Sequence, residues 1–232
     1  MLLYNIVEQF VKTYPLPGQA PELDLIIPTH DPNRDNSKFR LSDAGKCHLM
    51  RYWKRQGKET DHTIPAHVLL QMQVGNIIHA YIEHAVSEMG YLLKAEGELE
   101  DEHTLGHFDM LIQTPGNSVT YLYDIKTISS KKAYYMDKNG GAPDTPHIMQ
   151  IISYANMLEP SPDNYVIAYV VRDTMAFHEE PVDYGYYRNQ VNNDWNTLIK
   201  AWKYEQEPKP NPARWECQYC QYQAGCEFAL VG

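Results

Sequence analysis

Four cysteines constrain this chain more than any other feature. Three crowd together as Cys217-x-x-Cys220-x5-Cys226, and Cys47 stands alone far upstream. One tetrathiolate site would account for every thiol and would draw the two ends of the protein onto each other. The opening residues, Met1 to Phe10, lack a basic segment and carry an early acid, so they do not read as a signal peptide. Without a secretory route, metal ligands or reduced thiols are expected in place of disulfides. Thiolates at this spacing can hold Zn²⁺ or an iron–sulfur cluster.

With 232 residues and 43% hydrophobic content, the chain is long enough for one sizeable core and short for two. No apolar run is long enough to cross a bilayer, so the expected location is the cytoplasm, or a host's cytoplasm if the source is viral. A net charge of −10 argues against a protein that coats nucleic acid through a global positive field. Locally the balance reverses. Lys38, Arg40, Lys46, Arg51, Lys54, Arg55 and Lys58 surround Cys47 with Asp43 as the single acid among them. Two readings stand here: a solvated helix face, or a phosphate-binding patch in which Lys46, Arg51, Lys54 and Arg55 meet nucleic acid.

Residues 1–37 hold a short helical pattern, an apolar stretch at Leu23–Ile27 and a polar loop, Pro28–Ser37. A helix with Ser42 as N-cap is expected to carry Cys47 through Lys54. A second is expected from Gln71 to Met89, with Val74, Ile78, Tyr81, Ala85 and Met89 as its apolar stripe. Strands are expected at 93–100, 106–113 and 119–128, with a turn at Pro115–Asn117 joining the last two. A loop at Gly140–Pro146, a helix through Ile148–Leu158, a strand at Tyr165–Val171 and a polar helix at Tyr187–Tyr204 complete the pattern. The prolines of Glu207–Pro212 mark an extended tether to the cysteine cluster. Helices flanking a small mixed sheet predict α/β/α layers.

Within that frame, Asp124 and Lys126 share one face of their strand, setting a hard oxygen ligand beside an ammonium group. Alone, the pair is better explained by an edge-strand salt bridge. A hairpin through Pro115–Asn117 would bring Asp109 against Asp124, with Phe108 and Met110 on the opposite face, and two such carboxylates repel unless a cation lies between them. His79 flanks the apolar stripe of its helix and is the best placed of ten histidines to complete a metal site. Gln150 and Tyr154 are i, i+4 neighbours suited to contacts with a phosphate or a water.

The ordered set Gly75-x-x-x-His79, Gly106-x-x-Asp109, Asp124-x-Lys126 and Gln150-x-x-x-Tyr154 resembles the successive motifs of the PD-(D/E)XK nuclease superfamily in its RecB-like branch. The one-plus-three cysteines are similar to those of its iron–sulfur members, among them the CRISPR-associated RecB-like exonucleases of the Cas-four type. A zinc ribbon usually offers two C-x-x-C knuckles and this chain has one, so the resemblance favours a [4Fe–4S] cluster on Cys47, Cys217, Cys220 and Cys226.

The resemblance implies a restriction-endonuclease-like α/β/α core with a mixed sheet, cutting single-stranded DNA or duplex ends with Mn²⁺ or Mg²⁺. His79, Asp109, Asp124 and the Ile125 carbonyl would bind metal, Lys126 would assist catalysis, and Gln150 and Tyr154 would support the substrate site. It divides the chain into an N-terminal extension (1–37), a nuclease core (38–204) and a three-cysteine segment (205–232). Such a nuclease could belong to a CRISPR system or a phage. The competing expectation is a non-catalytic DNA-end adaptor that partners an integrase or a helicase.

Overall fold

A computed structural model describes residues 1–13, 37–60, 64–138, 140–213 and 215–229. The stretch Leu23–Ile27 and residues 28–36 of the expected loop lie outside them. Elements run α1 (Leu2–Thr13), β1 (Phe39–Arg40), α2 (His48–Arg55), α3 (Ala66–Glu88), β2 (Leu92–Glu100), β3 (Thr104–Gln113), β4 (Thr120–Ile128), α4 (Ser130–Lys138), α5 (Thr145–Ala155), β5 (Asn164–Val171), β6 (Ala176–Pro181) and α6 (Tyr184–Lys203).

The six strands form one mixed sheet. β3 pairs antiparallel with β2 on one edge and with β4 on the other, β4 and β5 run parallel, and β6 closes the sheet antiparallel to β5. Both faces are covered. Tyr165, Ile167, Tyr169 and Val171 of β5 join the cluster that α5 and α6 build with Ile148, Ile151, Trp195 and Leu198. The alternate residues Val166, Ala168 and Val170 meet α1 and α3 on the opposite face. A strand buried on both sides has no polar position to spare, which is why this one reads as an unbroken apolar run.

The first thirteen residues pack onto the body of the fold. Leu3, Ile6, Val7 and Phe10 recur at helical spacing and are all buried against α3 and the sheet, each contributing about 1.5–3 kcal/mol of apolar burial. The first-turn amides of Leu2 and Tyr4 donate to the Glu179 carboxylate of β6 at 2.9 and 3.0 Å, and the Tyr123 hydroxyl donates to the same group at 2.9 Å. Amides left over at a helix start are thereby satisfied by a side chain from the sheet.

Several boundaries differ from expectation. Ser42 caps no helix: it lies inside a 3₁₀ turn, Leu41–Asp43, and α2 begins only at His48, with Cys47 as the preceding cap residue. Gly45 causes the delay. Its φ of +72° turns the chain, and a Cβ there would lie 2.8 Å from Met149 Cγ. Helix α3 starts five residues earlier than expected. α4 and β6 were not expected at all: α4 buries only Ala133 and Met136, and β6 is a largely polar edge strand. The alternation of β3 also breaks, since Phe108 joins the α5–α6 cluster while Met110 joins the α1–α3 cluster. The Phe108 ring occupies the place a side chain would take at Gly97, where a Cβ would come within 2.1 Å of it.

Candidate active site

The last paired rung between β3 and β4 on this side is Met110 opposite Tyr123, so the next positions, Asp109 and Asp124, face each other just where the ladder stops. Side chain replaces backbone at that point: the Ile125 amide donates to Asp109 Oδ2 at 2.5 Å. Register carries the row one strand further, because Glu96 falls opposite Asp109 between the pairs Ala95–Met110 and Gly97–Phe108. Glu96 has φ of +45°, an uncommon conformation for a residue with a side chain.

Two glycines of the motifs have a steric reason. α3 passes so close to β4 that a Cβ on Gly75 would lie 3.0 Å from Thr127 Oγ1. That approach brings His79, one turn on, to 3.9 Å between its Nδ1 and Asp109 Oδ2. At Gly106 a Cβ would collide with Leu41 at 2.7 Å, so this glycine admits the 3₁₀ turn beneath β3.

Asp124 is wholly buried and Lys126 Nζ lies 2.9 and 2.8 Å from its two oxygens. Only Oδ1 receives a well-directed hydrogen bond; Oδ2, though near the ammonium, has none. Burial pushes both Asp109 and Asp124 up to about 6, even with Lys126 opposing the rise. For Lys126, burial acts to lower its value, but Asp124 and Asp109 outweigh it and hold the ammonium more firmly charged. Burial and Lys126 drive His79 down to about 4, leaving a neutral imidazole.

Gln150 and Tyr154 are not displayed on an open face as expected. α5 is buried on all sides from Ile148 onward, Tyr154 is 1% exposed, and the Gln150 amide donates to its hydroxyl at 2.6 Å. The phenol nevertheless lies within the field of Asp124 and Asp109, which, after burial, help to raise it. Two further acids escaped the sequence: Glu83, one turn beyond His79, and Glu96, whose charge acts on it. Burial first, then Glu96 and Asp109, push Glu83 up to about 8. The i, i+4 spacing from His79 was a signal for Glu83; nothing in the sequence marked the backbone turn at Glu96.

As the side chains stand, no three histidine, cysteine, aspartate or glutamate groups among the described residues converge on one ion position. Lys126 and the Ile125 amide hold the two facing carboxylates instead. Yet two opposed buried acids with an undirected oxygen make a donor set that a hard divalent cation would satisfy.

The four cysteines are far from this row in sequence but do meet. All line one cavity between α2 and the C-terminal turns, whose remaining wall is largely apolar, with Leu49, Met50, Trp53 and Phe228. The tail is docked by polar contacts: Cys47 N to Glu216 Oε1 at 2.7 Å, His48 N to Asn211 Oδ1 at 2.6 Å and Trp53 Nε1 to Glu207 Oε1 at 2.8 Å. Tyr222 meets Trp53 edge-on at 5.6 Å. Burial, with the other three thiols nearby, raises Cys220.

The expected patch of Lys46, Arg51, Lys54 and Arg55 is not an open face. Arg51 is 2% exposed, bonded to Asp194 Oδ2 at 2.6 Å through Nη1 and stacked over Trp195, so it is no part of a solvated helix face. Lys46 and Lys54 both clamp Asp43, at 2.7 and 2.5 Å. Arg55 lies over the Phe39 and Trp202 rings at 4.5 and 4.2 Å. A run of bases around a helix reads as surface only when its acids and aromatics are out of view, and Asp194, Trp195 and Trp202 come from α6.

No protein-family model matches the chain, and no curated protein matches it in sequence. Solved structures do match. The crystal structure of SSO0001 superposes with a TM-score of 0.55 over 99% of this chain and 96% of that one, at 19% sequence identity. The two share a fold. An alkaline exonuclease, LHK-Exo from Laribacter hongkongensis, overlaps more loosely, with a TM-score of 0.49, 12% identity and coverage of 74% of this chain and 90% of that one. Among the described residues no helix is long and apolar enough to cross a membrane.

Proposed function

We propose that the protein is a divalent-metal-dependent deoxyribonuclease of the PD-(D/E)XK type, an exonuclease acting on single strands or duplex ends in the cytoplasm. The observation that carries this is the facing pair Asp109 and Asp124 at the open end of the β3–β4 ladder, with Lys126 against Asp124. Asp109, Asp124, the Ile125 carbonyl and the His79 ring would hold Mn²⁺ or Mg²⁺. When bound, such an ion polarises a phosphodiester and acidifies a water ligand. The chain's own groups do the rest. Lys126 keeps a positive charge beside the place where charge develops on phosphate oxygens, and a preorganised charge in a dry site costs no reorganisation during reaction. The Gln150 amide fixes the Tyr154 phenol, and with it the wall of α5 behind Asp124.

The same proposal gives the four thiols a structural [4Fe–4S] cluster. Its support is that Cys47, Cys217, Cys220 and Cys226 line one largely apolar cavity, and four thiolates gathered in such a wall are the ligand set of a cubane cluster.

Two experiments test these assignments. Purified protein with end-labelled DNA and Mn²⁺ should release nucleotides, and EDTA should abolish the release; a stable complex without degradation would favour the adaptor role instead. Cys220→Ala should lose visible absorbance and lower the melting temperature. Anaerobically purified wild type that is colourless and carries only zinc would overturn the cluster.

A further inference from the structure

Between β1, the 3₁₀ turn and α2 lies a small pocket lined by Lys38, Arg40, Asp43, Arg51, Lys54 and Arg55. Arg51 and Arg55 are one turn apart on α2, so their guanidinium groups share a helix face. Aromatic rings cover their flat sides: Trp195 lies 4.1 Å from Arg51, and Phe39 and Trp202 lie 4.5 and 4.2 Å from Arg55. The edges are a different matter. Arg51 Nε and Nη2 and Arg55 Nε and Nη1 are sealed from solvent and have no hydrogen-bond acceptor.

The local charges do not cancel. Asp194 answers Arg51 through Nη1 alone. Asp43 is held by both Lys46 and Lys54, which leaves one positive charge over. Arg55 has no ion pair at all among the described residues, and its burial lowers it without removing the guanidinium charge. Buried charged donors without acceptors are costly, and native structures settle them with a water or an ion. A forked guanidinium edge matches the paired oxygens of a tetrahedral oxyanion better than it matches a spherical ion.

The geometry points to a binding site for one phosphate-type oxyanion in this pocket, gripped by the free edges of Arg51 and Arg55, with Lys54, shared with Asp43, and Lys38, paired with Glu100 at 2.6 Å, at its rim. The site is independent of the nuclease assignment, since it uses none of the residues of the acid row. The phosphate can come from solution or from a DNA backbone, and the chemistry of the grip is the same for both.

Thermal melting of the full chain in inorganic phosphate against chloride at equal ionic strength tests it. At several times its dissociation constant, phosphate should raise the wild-type midpoint by roughly 2–4 °C. Arg55→Gln should lose that phosphate-specific rise. Because Arg55 also fills space between two rings, Arg55→Lys provides a second variant that keeps the charge and the aliphatic cover but not the forked edge, and its rise should fall by about half or more. Phosphorus NMR line broadening with the wild-type protein reads binding directly and needs no variant.

Fluorescence anisotropy of a labelled oligonucleotide without divalent metal then separates the sources. A DNA affinity weakened about tenfold in Arg55→Gln marks a backbone phosphate as occupant. Unchanged DNA affinity with a lost phosphate response marks free phosphate. Equal shifts in phosphate and chloride for the wild type, or a full phosphate response surviving in both variants, would overturn the site.

Discussion

The acid row and the thiol cavity are built on opposite principles. Asp109, Asp124 and Glu96 stand in line because three strands hold them in register, and Lys126 follows from the pleat. The C-terminal region has no such frame. Its turns, Cys217–Tyr219 and Gln223–Gly225, are single 3₁₀ turns reached by an extended tether, and it meets the body through Glu216, Asn211 and Glu207. A register is set by many cooperative contacts and tolerates the loss of one. A docked tail depends on each contact, and on whatever joins its thiols.

That contrast can be broken in three places. The largest effect is expected at Asp124→Asn, which keeps shape but removes charge: cleavage should fall by about 10²–10³-fold while visible absorbance stays at the wild-type level. Retained cleavage in a nucleotide-release assay would remove the acid row from the chemistry. Loss of both properties together would show that the two regions are not separable.

Next comes Asp43→Asn, which removes a buried carboxylate from between two partly exposed lysines and should cost about 2 kcal/mol at neutral pH. The sign with pH follows from the carboxyl's environment. Burial alone would raise Asp43, but Lys46 and Lys54 outweigh it and hold the group well below its ordinary 3.8. A depressed value stabilises the fold above the unfolded-state value and loses that contribution on acidification. Urea melts should therefore show the full difference between wild type and variant at pH 7, and a smaller one below about pH 4. A gap that widens in acid would contradict the triad.

The smallest effect is expected at Glu216→Ala, which leaves the Cys47 and Ala213 amides without their acceptor. A loss of about 1–2 kcal/mol should appear as faster proteolysis in the 205–216 tether, with nucleotide release barely altered. An equal slowing of cleavage would mean that the tail shapes the acid row after all.

Much of the acid row was legible because its signals are local. A turn at Pro115–Asn117 fixes which residues of two strands meet, so Asp109 and Asp124 could be paired from spacing alone. Gly75 and Gly106 carry steric meaning that the motif spacing preserved. What escaped depends on partners distant in sequence. Arg51 reads as a surface base until α6 supplies Asp194 and Trp195. Tyr154 reads as displayed until the sheet and α6 close over α5. Ser42 reads as a cap because the crowding of Gly45 against Met149 belongs to another helix. Glu96 owes its place to a backbone angle, which composition does not record.

Glu179 has a reach that its edge-strand position conceals. One carboxylate anchors the start of α1 and also holds the hydroxyl of Tyr123, the immediate neighbour of Asp124. Trimming the first helix would therefore disturb more than a peripheral layer. It would strip this acid of two donors and shift its load onto a phenol one peptide bond from the acid row, giving a change at the amino terminus a short mechanical path to the centre of the molecule.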